Sequence, residues 1–218
     1  MDQDSISFAN ADVLTFYQKL PFNLSASASE AADKIVTQNP LDYYPVLSPL
    51  LESGITVLDA GCGPGWLTNA INHYYHAQGT HCTGIDFNSV AIDQAVETAE
   101  RLQLDSRFEV HDLFTYQPTN KYDLVISMGV LHHTDNCLAG IEHLLNHCVN
   151  ESGHIFIGLY HKFGRKPFLD YFRKAKRSGT SEEVLESMFN ELRSESGDSV
   201  QDHSWFLDQV MHCHETQH

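Results

Sequence analysis

The run Val57-Leu58-Asp59-Ala60-Gly61-Cys62-Gly63-Pro64-Gly65 carries the first chemistry of the chain. An apolar segment enters a loop whose three glycines alternate, and an acid stands two positions before the first of them. Glycines in that pattern let a strand turn sharply into a helix while its backbone lies against a ligand. A Cβ there would fill the ligand's space, and positive φ is open only to glycine at little cost. The helix start that follows presents unpaired N–H groups, which favour a carboxylate or phosphate. Asp86 ends the next apolar run, 21 positions beyond Gly65, and Asp112 ends the run after that. Glycines or a carboxylate at three successive strand ends describe a pocket for an adenosine-containing cofactor, because open α/β sheets bind ligands at the carboxyl ends of their strands.

Two cofactor classes use such a pocket. A dinucleotide fingerprint needs a small residue at its third glycine position for close helix packing. Trp66 stands there, and Asp59 occupies a strand position that is normally apolar. Both count against a nicotinamide or flavin. S-adenosylmethionine has no phosphate and carries a positive sulfonium and an ammonium, so acids beside the loop suit it. Asp86 is placed to accept both ribose hydroxyls, and Phe87 to face the adenine ring.

On these residues the chain resembles the class I S-adenosylmethionine-dependent methyltransferases. The resemblance covers about residues 55–161 and rests on Val57–Gly65, on Gly84-Ile85-Asp86-Phe87, on His111-Asp112-Leu113, and on the run from Tyr122 through Val130 to His132 and His133. It implies that Asp59, Gly61 and Gly63 line the methionyl side and that Asp86 holds the ribose. It implies that Asp112 takes the adenine amino group with the Leu113 amide nearby, and that Met128 and Gly129 give backbone contacts close to the sulfonium. The implied fold is α/β, a doubly wound, mostly parallel Rossmann-like sheet closed by a C-terminal antiparallel hairpin. No convincing strands for that hairpin are legible after His161, so an abbreviated sheet or a fragment is expected.

His132 and His133 leave the fourth strand where a methyl acceptor would stand. Histidine, with an unperturbed pKa of about 6.5, can take a proton at neutral pH. The histidine matching His133 is common at this exit in the family, with very different acceptors, so both are candidate bases beside structural or gating roles. Tyr160 and His161 end the fifth strand on the same side. Phe16, Tyr17 and Phe22 precede the first strand, where similar enzymes close an N-terminal helix over the cofactor. The terminal run from His212 to His218 holds five possible metal ligands, three histidines, a cysteine and a glutamate, without the spacing of a standard zinc site, and no metal is expected.

The elements that must position these groups alternate. Strands are expected at Ile55–Ala60, His81–Phe87, Phe108–His111, Tyr122–Val130 and Gly153–Tyr160. Between them, Trp66–Ala77, a helix capped by Asn88 or Ser89, and a helix through Leu138, Ile141, Leu144 and Cys148 supply the crossovers. Neighbouring strands should therefore run parallel. Residues 25–39 read as a short helix. Further helices are expected at Phe168–Lys176 with Pro167 in the first turn, after a Thr180/Glu183 capping box, and from Asp198 through Trp205, Phe206 and Val210. The expected organisation is an N-terminal helical cap over residues 1–50, a cofactor-binding core over 51–161 and a helical segment over 162–218.

Net charge is −16, which disfavours nucleic acid except at a local patch. Seven of the thirteen basic residues fall between Lys162 and Arg177, either as a solvated helix face or as a dock for an acidic substrate or partner. The five cysteines form no CxxC pair, which suits reduced thiols. The N-terminus is acidic and lacks the apolar core of a signal peptide, and no apolar run spans a membrane, so the cytoplasm is the expected compartment. The reading is a methyltransferase acting on a small-molecule oxygen, nitrogen or carbon nucleophile, possible as a homo-oligomer. The alternatives are a cofactor-binding module without activity, or an RNA methyltransferase using the 162–177 patch.

Overall fold

The structure, a computed structural model, describes Tyr17, residues 24–192, His203, Phe206 and Val210. Five strands form one sheet: β1 (Thr56–Ala60), β2 (His81–Asp86), β3 (Arg107–Val110), β4 (Tyr122–Met128) and β5 (Val149–Gly158). Their order is β3-β2-β1-β4-β5, and every pairing is parallel. The crossovers are α3 (Trp66–Tyr75), α4 (Ser89–Arg101) and α5 (Cys137–His147), preceded by α1 (Ala28–Thr37) and α2 (Ser48–Leu51) and followed by α6 (Lys162–Arg177) and α7 (Glu182–Leu192). This is the open, doubly wound sheet expected. The order reverses between β1 and β4, and that switch point is where such sheets leave a crevice.

Burial follows the layers. On one face Val57, Leu124 and Ile126 pack with Leu67, Ile71 and Tyr75 of α3, and with Leu41, Leu47 and Leu51 from the segment before β1. On the other, Leu58, Ile85 and Val125 pack with Leu131, Cys137 and Leu144. Alternate residues of β1 thus feed opposite cores, as a strand covered on both faces requires. A third, satellite cluster joins Phe172 of α6, Leu185 and Phe189 of α7, and Phe206.

Local chemistry fixes the ends of the elements. Asn88 caps α4 by accepting the Val90 N–H, and Ser27 caps α1 by accepting that of Glu30. α3 ends at Tyr75 and passes through a 3₁₀ turn to Gly79, whose φ of 86° stops it. β5 begins at Val149, earlier than the sequence suggests. A register irregularity between Tyr122 and Leu124 lets its first residues pair, with Asp123 accepting from Thr56 and from the Asn150 amide. Two helix starts differ from expectation. α6 opens at Lys162, where the His161 ring accepts the Gly164 N–H, so Pro167 lies inside the helix rather than in its first turn. The missing proline N–H leaves the Phe163 carbonyl on an exposed face, where water can pair it. α7 starts at Glu182, so Ser181 rather than Thr180 holds the cap position, and the Ser181 carbonyl receives the Leu185 N–H.

No strand pairs with the outer edge of β5 among the described residues. The expected helix from Asp198 lies outside those residues apart from His203, Phe206 and Val210, and the His212–His218 run lies outside them altogether.

Candidate active site

A cavity of about 480 Å³ opens at the carboxyl ends of β1, β2 and β4. Its size falls in the ordinary range for a small-molecule site. Asp59, Gly61, Gly63, Asp86, Phe87, Asp112, Leu113, Met128, Gly129 and His133 all line it. His132 does not.

The glycine loop divides into two kinds of position. A Cβ on Gly61 would meet the Val130 side chain at 2.5 Å, and one on Gly65 would meet Ala95 at 2.6 Å. Those glycines exist to let protein pack on protein. A Cβ on Gly63 or Gly129 would meet no heavy atom within 4 Å, and both residues have positive φ, 52° and 74°. These two leave room in the cavity itself, so Gly63 and Gly129 are the backbone positions a ligand can approach.

Two carboxylates stand at this loop. Asp86 accepts the Gly63 N–H through one oxygen and the Asn88 N–H through the other, each at 2.9 Å. Burial pushes its pKa up to about 6, and its bonds to the Asn88, Gly63 and Phe87 N–H groups hold it from rising further. Asp59 is 3% exposed and accepts the Thr68 hydroxyl at 2.7 Å. Burial raises its pKa to about 7, the Thr68 bond opposes the rise, and the charge of Asp86 adds to it. Two acids held above their usual range beside open space make a site that gains by admitting a cation or a hydroxyl donor. Sequence reasoning missed Thr68. Its signal was a hydroxyl on the first turn of the helix that follows the loop.

At the other end, the Asp112 carboxylate accepts the Phe114 N–H at 2.9 Å, and its carbonyl receives the Thr115 and Tyr116 N–H groups. Asp112 therefore shapes the loop after β3 while also lining the cavity. His111, a cavity residue the sequence reading used only as a motif neighbour, has a buried Nδ1 with no hydrogen-bond partner among the described residues.

Towards the exit of β4, a Cβ on Gly158 would meet the Met128 thioether methyl at 2.5 Å, so a side chain there would displace the flexible end of Met128. The Gly129 N–H is taken by the Gly158 carbonyl at 3.0 Å, so any ligand contact from Gly129 comes from its carbonyl or Cα. A 3₁₀ turn over Leu131–His133 then aims the two histidines differently. His133 is 8% exposed and faces the cavity, while His132 is 2% exposed and lies behind it, its ring 4.1 Å from that of His133 and 4.0 Å from that of Tyr160. Tyr160 lines the cavity edge-on to His133, at 5.6 Å, whereas His161 serves as the α6 cap. Tyr17 closes the opposite side. Its carbonyl accepts from Asn88, and its ring lies 6.5 Å from Phe87 and 6.3 Å from His133. Phe16 and Phe22 lie outside the described residues.

A parallel 3-2-1-4-5 sheet with a glycine loop after β1 and an acid ending β2 is the architecture of class I S-adenosylmethionine-dependent methyltransferases. A family model described as "Methyltransferase domain" matches residues 51–217, and the chain belongs to that family. A ubiquinone biosynthesis O-methyltransferase of Xylella fastidiosa is 31% identical over 120 residues, 54% of this chain and 46% of that protein. A probable (S)-tetrahydroprotoberberine N-methyltransferase of Papaver bracteatum is 30% identical over 87 residues, 39% of this chain and 24% of that protein. The chain thus spans less than half the length of the curated relatives it matches. The solved structure of PKMT2 from Rickettsia typhi, in complex with AdoHcy, shares the fold with a TM-score of 0.54 at 21% identity, over 73% of this chain and 31% of that one.

Proposed function

We propose that this chain binds S-adenosylmethionine in the β1–β2–β4 cavity and transfers its methyl group to a small-molecule nucleophile. The observation that carries the reading is the pairing of open glycine backbone at Gly63 and Gly129 with the Asp86 carboxylate across the same cavity. The family supports methyl transfer, and the relatives named as O- and N-methyltransferases support a small acceptor.

The residues fit the cofactor by kind. Asp86 accepts the ribose hydroxyls. Phe87, Leu113, Asp112 and His111 surround the adenine, with the orphaned His111 Nδ1 supplying a polar contact. Asp59 and the Gly61–Gly63 backbone hold the methionyl end, and Met128 and Gly129 line the approach to the sulfur. The cofactor, when bound, supplies an electrophilic methyl group on a sulfonium. Most of what the protein adds is placement, since effective molarities for oriented partners reach roughly 10⁵–10⁸ M. His133, facing the cavity beside Tyr160, takes the proton that an oxygen or nitrogen acceptor must lose. His132, set behind it, positions His133 by ring contact and does not act as a base. Tyr17 and the N-terminal segment act as a lid over the cofactor, residues 51–161 as the cofactor core, and 162–218 as a helical addition. Four buried free thiols, Cys62, Cys82, Cys137 and Cys148, support a reducing compartment such as the cytoplasm.

Incubation with methyl-labelled cofactor and a panel of phenols and amines tests this, with label expected in an organic product. Absence of both cofactor binding and transfer overturns it. A second reading, binding without transfer, is favoured by the outer edge of β5, which no strand pairs among the described residues; calorimetric binding of S-adenosylhomocysteine with no labelled product from panel or cell extract would establish it instead.

A further inference from the structure

Charge is segregated along this chain. The sixteen residues of α6 hold seven of the thirteen basic side chains and one of the twenty-nine acidic ones. Everything outside α6 is therefore strongly negative. The inner face of α6 is spoken for: Leu169 and Phe172 are buried, and Phe172 packs on Phe189 of α7. The outer face repeats at helical spacing. Phe163, Lys166, Asp170, Arg173 and Arg177 fall three or four positions apart and so form one stripe, with Lys174 beside it. All six are exposed. Phe163 is 71% exposed and Tyr171, flanking the stripe, 51%. The acid of the stripe is neutralised: Asp170 pairs with Lys166, and Lys166, Arg173 and Arg177 together hold its carboxyl below its usual range. The stripe begins at the lip of the cavity, since Tyr160 lines that cavity and Arg165 of α6 sits 4.3 Å over its ring.

We propose that the outer face of α6 docks on an anionic membrane surface, with Phe163 entering the headgroup layer and Lys166, Arg173, Lys174 and Arg177 meeting lipid phosphates. Basic side chains around an exposed large aromatic are the composition that interfacial helices use. The complementarity also selects the partner. A lipid surface meets the molecule through one helix face, whereas an RNA strand follows the surface beyond α6 into its acidic remainder. Docking there brings the cavity mouth to the lipid boundary. This contact lies along the surface: no described helix is long and apolar enough to cross a membrane.

Flotation of the full chain with phosphatidylcholine vesicles, and with the same vesicles containing phosphatidylglycerol, tests the proposal. Binding is expected only to the anionic vesicles and should weaken as salt rises. Lys174→Glu with Arg177→Glu should weaken it roughly thirtyfold or more. Phe163→Ser should weaken it several-fold while leaving its salt dependence intact. Equal binding to both vesicle types, no binding to either, or undiminished binding by the charge-reversed variant overturns the proposal. Salt-sensitive binding of a single-stranded RNA without vesicle binding overturns it in favour of a nucleic-acid surface. S-adenosylhomocysteine binding and thermal unfolding of the same variants should match the parent chain, so a failed vesicle result is separable from a failure of the methyltransferase reading.

Discussion

The Asp86 carboxylate accepts the Gly63 N–H at 2.9 Å, so the acid that ends β2 holds in place the loop that leaves β1. One side chain thus ties the ends of β2 and β1 together, beside the β1–β4 point where the order of the sheet reverses. The same carboxylate fixes the start of α4 through the Asn88 N–H.

Asp86→Ala should therefore weaken cofactor binding through two losses, the hydroxyl acceptor and the fixed loop. Hydrogen bonds to a charged group contribute about 1.5–3 kcal/mol each. Calorimetry with S-adenosylhomocysteine should show affinity reduced by roughly tenfold to several hundredfold. Unchanged affinity would remove Asp86 from the site.

Stability should fall as pH rises. Asp59 and Asp86 ionise in the folded chain near about 7 and about 6, against 3.8 for an exposed aspartate. Between the unfolded and folded values the native state holds more protons, so this contribution to stability declines from about pH 4 to about pH 7. Cofactor binding has the opposite dependence, because a cation and hydroxyl donors favour the ionised acids. Affinity should rise from pH 5 towards 7.5, with proton release on binding. Calorimetry in buffers of different ionisation enthalpy measures that release directly, and proton uptake would contradict the assignment.

Gly61→Ala and Gly63→Ala should separate folding from binding. Alanine at 61 meets Val130 at 2.5 Å in addition to a φ of 84°. The expected loss is about 2–4 kcal/mol, with partial rescue by Val130→Ala. Alanine at 63 meets nothing within 4 Å, so the strain of positive φ alone, about 1–2 kcal/mol, affects stability. Its larger effect should be on cofactor affinity. Urea titration and calorimetry on both variants check this, and equal effects on binding would remove the distinction.

His133→Ala should lower kcat by about 10²–10⁴-fold and abolish the acid limb of the pH–rate profile, with cofactor affinity little changed. His132→Ala should keep that limb and act through KM and stability instead. If the limb survives in the His133 variant, the base lies elsewhere.

The Val57–Gly65 run, Asp86, the apolar runs around Phe108, Tyr122–Val130 and Gly153–Tyr160, and the helical spacing of Ile92, Ala95 and Ala99 were enough to place five parallel strands, and the structure has a cavity at the carboxyl ends of β1, β2 and β4. Those features are local: a turn that demands glycine, an acid at a strand end and an apolar period each occupy a few consecutive residues. Helix caps were legible to within one residue, as at Asn88 or Ser89, where the structure gives Asn88, and as at Thr180, where it gives Ser181.

What the tertiary structure alone decided is which neighbour each residue meets. From sequence, Gly61 and Gly63 are equivalent; only the approach of Val130, two residues beyond the end of β4, makes the first a packing glycine and leaves the second open. His132 and His133 are adjacent and alike, and the 3₁₀ turn sends one to the cavity and the other behind it. Asp59 meets Thr68, and its raised pKa follows from burial among elements distant along the chain. Residue type and spacing determine strands, turns and the kinds of group available. Facing, burial and charge coupling depend on contacts between segments that pattern along one strand or helix does not encode.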